Sequence, residues 1–170
     1  MSNNIFTKPV ELIWTNYLFE ADTVYKHSSG APMYSVTMCF DEDGLEDFKE
    51  KIKIKLGETA VSKLYVKEED NQYKCKAKCV AWFDSPRGKT NQKPYVKWQI
   101  DGSEVKVGIE NEKAIVEIHP KFYARYGKLG LILKGASILG EKMRPSEEIE
   151  KELFGFSINE DTNKSFNSRV

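Results

Sequence analysis

Histidine and cysteine are scarce in this chain, and an excess of either charge sign is missing. Of 170 residues, two are histidine (His27 and His119) and three are cysteine (Cys39, Cys75 and Cys79). Two histidines leave little from which to assemble a histidine-rich metal centre or a nucleophile–base pair. Three cysteines, an odd number without a secretory leader, point to reduced thiols in a cytosol rather than to a disulfide framework. The opening MSNNIFTKPVELIW has no charged leader followed by an apolar run, and no apolar stretch approaches the roughly 20 residues of a membrane helix. A soluble, cytoplasmic protein with no membrane partner is expected. The phosphate loop G-x-x-x-x-G-K-[ST], the nucleophile elbow G-x-S-x-G and the metal helix H-E-x-x-H are all absent. Binding without catalysis, cofactor or metal is therefore the expectation.

The 26 basic and 26 acidic side chains cancel. Overall basicity, which marks many nucleic-acid binders, is thus lacking, but electrostatic binding depends on local charge and here the signs are segregated. Acid collects at Asp41–Asp47, at Glu68, Glu69 and Asp70, and at Glu147–Glu152. Base dominates at Lys74, Lys76 and Lys78, at Arg87, Lys89, Lys93 and Lys97, and at Lys121, Arg125, Lys128 and Lys134.

What is present is the material of an ordinary globular domain, with 40% hydrophobic and 12% aromatic residues. Lys8 to Phe19 is β-forming without helical spacing and predicts a strand. Met33 to Phe40 alternates, with Tyr34, Val36, Met38 and Phe40 on one face, and predicts a second. Leu45, Phe48, Ile52 and Leu56 recur at helical spacing behind a cap at Asp43 and before a stop at Gly57. Further strands are expected at Ser62–Lys67, Lys74–Phe83, Tyr95–Ile100 and Glu104–Ile109, the last two joined by an Asp101-Gly102 turn. Ala114–Tyr126 and Leu129–Leu139 predict a long hairpin whose glycines Gly127, Gly130 and Gly135 supply the turn and the kinks that curl a sheet. Pro145 followed by Ser146–Phe154 suits a short acidic helix. The resulting fold class is mainly β with one or two helices: an OB-fold-like, five-stranded antiparallel barrel with a helical cap and an extra hairpin. Residues 1–155 are assigned to this binding domain and 156–170 to a flexible C-terminal tail.

The acidic cluster Asp41–Asp47 lacks the spacing of a calcium loop and reads as a solvated helix start. Cys75 and Cys79 share one face of a strand about 13 Å apart, too far for a single strand to bring both to one zinc ion. Nucleic-acid binding asks for cations along the phosphates and aromatic faces under the bases. Two stretches combine them. In Trp82–Trp98 a basic loop joins two aromatic strands, and in Lys121–Lys128 aromatics alternate with bases at a hairpin tip. Arg87, Lys89, Lys93, Lys97, Arg125 and Lys128 are the expected phosphate contacts, and Tyr95, Trp98, Tyr123 and Tyr126 the expected stacking faces. The competing reading makes Trp82, Trp98 and Phe122 core aromatics and the lysines a solvated strand face.

Order and spacing of these elements resemble the bacteriophage single-stranded-DNA-binding proteins built on an OB-fold. Gly30-Ala31-Pro32-Met33-Tyr34-Ser35-Val36-Thr37 resembles the family's entry to its second strand, followed by the acidic helix. Val116–Tyr126, Gly127-Lys128-Leu129-Gly130 and Leu131–Leu139 are similar to its aromatic strand, glycine turn and closing apolar strand. The resemblance covers roughly residues 30–140 and implies non-specific single-stranded-DNA binding in replication, recombination and repair, in the host cytoplasm if the chain is viral. Replication or recombination proteins and a second copy of the chain are the further partners it leaves open. Members of that family commonly end in an acidic tail, whereas Asn159–Val170 mixes Glu160 and Asp161 with Lys164 and Arg169. The alternative is a protein-binding accessory or inhibitor module that uses a sheet edge or the acidic helix.

Overall fold

The computed structural model of the chain describes residues 3–106 and 108–140. Ten strands and three helices follow one another along it. β1 (Ile5–Phe6) and β2 (Val10–Ile13) lead to α1 (Asn16–Phe19), and β3 (Met33–Phe40) to α2 (Glu42–Leu56) and α3 (Glu58–Val61). After these come β4 (Lys67–Glu69), β5 (Gln72–Val80), β6 (Trp82–Ser85), β7 (Gly88–Asn91), β8 (Tyr95–Trp98), β9 (Lys113–Tyr123) and β10 (Lys128–Ile138). The compact unit that holds them ends at Leu139. The expected acidic helix at 145–154 and the tail at 156–170 lie outside the described residues.

Five strands close a barrel. β2 pairs antiparallel with β3, β3 with β5, β10 with β9, and β9 with β2. The ring is completed by β5 and β10, which run parallel with Ile132 opposite Lys78. This is the expected mainly β, OB-like barrel, with α2 as its helical addition and extra strands around it. Alternation decides what goes inside: Val36, Met38, Cys75, Ala77, Cys79, Val116, Ile118 and Leu133 all point into one buried core. α2 adds Leu45, Phe48 and Ile52 to that core, with the Phe48 ring stacked 5.0 Å from Phe40. Its cap is Asp41 rather than the expected Asp43, because the Asp41 carboxylate accepts from the Gly44 N–H at 2.6 Å. Gly57, at φ +93°, ends it where a side chain would be strained.

Several expected strands are corrected. Lys8–Phe19 is a strand only as far as Ile13; Trp14 turns into the left-handed region at φ +53°, and Tyr17, Leu18 and Phe19 form the helical turn α1. Ser62–Lys67 is not a strand. Val61, Leu64 and Val66 pack against the core from α3 and a connecting segment, and the β4–β5 ladder begins only at Lys67. That hairpin turns on Asp70-Asn71, both at positive φ as a two-residue twisted turn requires. Lys74–Phe83 divides at Ala81, whose N–H goes to Pro32. Among its described residues, Glu104–Ile109 contributes one isolated bridge, Lys97 to Glu104, beyond the expected Asp101-Gly102 turn. The basic loop expected between Phe83 and Lys93 is itself a hairpin, β6–β7, with Pro86-Arg87 at its tip.

Gly135 shows why one glycine of the long hairpin is needed. It sits where the β9–β10 register slips, and an added Cβ would run into the ring of Tyr95 on the neighbouring strand β8. That ring is held in place, since its hydroxyl donates to Glu117 Oε1 at 2.8 Å across β10. Gly135→Ala is therefore expected to lower stability by about 1–3 kcal/mol in urea unfolding, and Tyr95→Ala in the same chain to recover part of that loss. An unchanged midpoint for Gly135→Ala would show that the ring is free to move aside.

Candidate functional site

On the outside of the barrel, β5 carries a row of three lysines. Because Cys75, Ala77 and Cys79 point inward, Lys74, Lys76 and Lys78 point outward. They are not equivalent. Lys74 is paired with Glu69 of the β4–β5 hairpin, which holds the lysine charged and draws the Glu69 carboxyl below its ordinary range. Lys76 and Lys78 are exposed, and among the described residues neither has a carboxylate within ion-pair distance. Their antiparallel neighbours Thr37 and Ser35 are nearly buried on β3, against which α1 packs.

The β6–β7 hairpin follows the far end of the row, and the β9–β10 hairpin belongs to the neighbouring strand β10. Beyond Val80 the chain enters β6–β7, where the Phe83 ring is 43% exposed and Lys89 Nζ lies 4.2 Å from the centre of the half-buried Trp82 ring. Arg87 is exposed at the tip, with its N–H on Ser85 Oγ. A hollow of about 340 Å³ lies below the hairpin, lined by Tyr34, Ala81, Trp82, Asn91, Gln92 and the exposed Lys93. β10 runs parallel to β5 with Ile132 opposite Lys78, and its hairpin tip with β9 lies four residues before that pair, whereas β4 takes the edge of β5 from Gln72 to Lys74. That tip holds Tyr123, Arg125, Tyr126 and Lys128, all exposed. The Tyr123 ring lies over Gly130, where an added Cβ would be 3.0 Å from the ring, with Lys121 Nζ 5.3 Å from its centre. Tyr126 is 66% exposed with the Arg125 guanidinium 5.6 Å away. From Lys74 to Val80 β5 runs about 20 Å.

Seven of the ten expected site residues belong to two hairpins: Arg87 and Lys89 to β6–β7 with Lys93 just beyond it, and Tyr123, Arg125, Tyr126 and Lys128 to the β9–β10 tip. Tyr95, Lys97 and Trp98 lie on β8 instead, across β10. Trp98 packs against the core. The Tyr95 ring crosses Gly135, Lys97 Nζ lies 5.0 Å from it, and burial, then the Glu117 carboxylate, push its phenol far above the ordinary range. What the expected set omitted is the β5 row. Its sequence signal was there, in the alternation Lys74-Cys75-Lys76-Ala77-Lys78-Cys79, which sorts lysine outward and small apolar groups inward.

The cysteines offer no exposed thiol chemistry. All three are free and buried; burial pushes the Cys75 thiol up to about 12, and it raises Cys39 and Cys79 as well. His119 shares its Nδ1 with Asn4 Oδ1 at 3.1 Å on the outside of β9. Among the described residues no three His, Cys, Asp or Glu side chains converge as metal ligands, and no helix is long and apolar enough to cross a membrane.

No family model and no curated protein sequence matches the chain. Solved structures do. The crystal structure of gp2.5, a single-stranded DNA binding protein encoded by bacteriophage T7, superposes with a TM-score of 0.61 at 13% identity, covering 84% of this chain and 97% of that one. The single-stranded DNA-binding protein from bacteriophage Enc34, in complex with ssDNA, superposes with a TM-score of 0.54 at 16% identity, covering 80% and 85%. The barrel described here is therefore the fold of these two phage proteins, over 97% and 85% of their solved chains.

Proposed function

We propose that this chain binds single-stranded DNA without sequence specificity, coating exposed strands during DNA replication, recombination and repair in a host cytoplasm. The observation that carries this reading is the outer face of β5. Among the described residues Lys76 and Lys78 have no ion-pair partner, and the chain also carries two hairpins with exposed rings, Phe83 on β6–β7 and Tyr123 and Tyr126, each near a cation, on the β9–β10 tip. The fold likeness adds support, since one of the neighbours was solved with ssDNA. Phosphates follow Lys76, Lys78, Arg87, Lys93, Arg125 and Lys128, while bases stack on Tyr123, Tyr126 and Phe83. Tyr95 acts as a support, because its ring and hydroxyl are already engaged. Trp82 and Lys89, stacked on each other, stiffen the hairpin that carries Phe83. Aromatic faces accept any base, so the binding is indifferent to sequence.

Salt is the test. Each phosphate contact on a single strand contributes about 0.7 to the slope of log K against log salt. Lys76→Ala with Lys78→Ala is expected to reduce that slope by about 1.4 and to weaken binding of oligo-dT about 25-fold at 0.1 M salt, measured by fluorescence anisotropy. An unchanged slope would remove the β5 row from the interface.

A further inference from the structure

Trp14 stands apart from the rings described above. It follows β2 directly, the residue is 60% exposed, and its backbone sits at φ +53°, a region a bulky side chain enters only when its surroundings impose it. The surroundings that impose it come from far along the chain. One carboxylate, that of Glu110, accepts from the Trp14 N–H at 2.9 Å, from the Thr15 N–H at 3.0 Å and from Thr15 Oγ at 3.0 Å. The segment carrying Glu110 is in turn tied to β2, with Asn111 N–H donating to the Leu12 carbonyl at 2.8 Å and Leu12 N–H to that of Glu112 at 2.9 Å. Three donors on one acceptor draw the Glu110 carboxyl below its ordinary range in spite of its partial burial.

An exposed, strained tryptophan gains no core burial that would explain it. Its neighbour does explain it: Lys74 Nζ, at the start of the outward lysine row, lies 5.7 Å from the centre of the indole. The ring therefore stands beside the first lysine of the row, at the end of β2. Charge there is balanced or negative. Lys74 is held by Glu69, and Glu11 and Glu110 both lie close enough to Cys39 to help burial raise its thiol. A phosphate has nothing to gain at this place, but the flat face of a base does.

We infer that Trp14 is a further base-stacking platform of the single-strand path, and that Glu110 is the positioning residue that locks its turn. The inference rests on the single-stranded-DNA reading above. It makes Trp14 a contact of a different kind from Lys76 and Lys78, one that contributes through its ring and releases no counterion.

The test is oligo-dT binding by fluorescence anisotropy across several salt concentrations, on the full chain and its Trp14→Ala, Glu110→Ala, Glu110→Gln and Trp14→Ala/Glu110→Ala variants. Trp14→Ala is expected to weaken binding about 5- to 150-fold at every salt concentration with the log–log slope unchanged. Glu110→Ala is expected to weaken it in the same way, to add little in the Trp14→Ala background, and to be partly rescued by Glu110→Gln, which keeps one accepting oxygen. Wild-type binding with Trp14→Ala unaffected would overturn the inference and leave the DNA reading standing. An equal loss from Glu110→Ala with and without Trp14 would overturn the positioning role. No binding by the wild type at low salt would remove both. Thermal unfolding of each variant identifies any loss due to folding, and Trp14→Ala, at an exposed ring, carries the test if Glu110→Ala unfolds.

Discussion

Tyr123→Ala combined with Tyr126→Ala lowers affinity for oligo-dT at least about 25-fold, the product of two stacks each at the low end of about 5-fold. The two rings sit on the β9–β10 tip, 40% and 66% exposed, each beside a cation. Their positions are set by the turn: Tyr126 N–H donates to the Tyr123 carbonyl at 3.0 Å, and Gly127 closes it at φ +60°. Neither ring fills the core, so the double variant is expected to unfold within a few degrees of the parent. Tyr123→Phe with Tyr126→Phe is the matching control; stacking uses the ring and not the hydroxyl, and affinity is expected to stay within about 2-fold. The comparison is made by anisotropy at one salt concentration. A loss in the phenylalanine pair as large as in the alanine pair would mean that the hydroxyls, not the faces, make the contact.

Phe48→Ala is expected to cost about 3–5 kcal/mol in urea unfolding, the largest stability effect of any single change considered. The side chain is fully buried, it stacks on Phe40 at 20° between ring planes, and it anchors the middle of α2 on the barrel between Leu45 and Ile52. Removing it leaves a cavity whose walls belong to a helix and to β3, neither of which can close the gap without breaking its hydrogen bonds. Ile54→Ala on the exposed side of the same helix is expected to change stability by less than about 0.5 kcal/mol. A loss below about 1 kcal/mol for Phe48→Ala would mean that α2 is not packed on the barrel as described.

Elements whose periodicity is their own were legible in the amino-acid sequence. Met33–Phe40 was expected and found with the same bounds, because its alternation and flanking turn residues are local. So was α2 from Leu45 to Leu56, because its apolar spacing and its glycine stop are local; only the cap moved, by two residues, among acids that all suit a helix start. The hairpin tip with Tyr123, Arg125, Tyr126 and Lys128 was legible for the same reason.

What escaped depended on partners distant in sequence. Leu12 to Phe19 is apolar and aromatic apart from Thr15 and Asn16, which do not by themselves fix where the strand ends; the turn at Trp14 is held by Glu110, 96 positions away. Tyr95 read as a stacking face because it follows a basic loop, but Glu117 and Gly135, on two other strands, claim its hydroxyl and its ring. The lysine row of β5 was visible as an alternation. Which of its members carries free charge was not, since that depends on Glu69 reaching back across the Asp70-Asn71 turn to Lys74.

The central claim is a face of the barrel that takes single strands through phosphate contacts and exposed rings. The measurement that tests it most directly is titration of a fluorescent oligo-dT of about 30 nucleotides at low and at moderate salt, with duplex of the same length in parallel. Tight binding to the single strand, weakening steeply with salt and exceeding binding to the duplex, is the predicted result. Absence of binding at low salt, or a preference for the duplex, would contradict it.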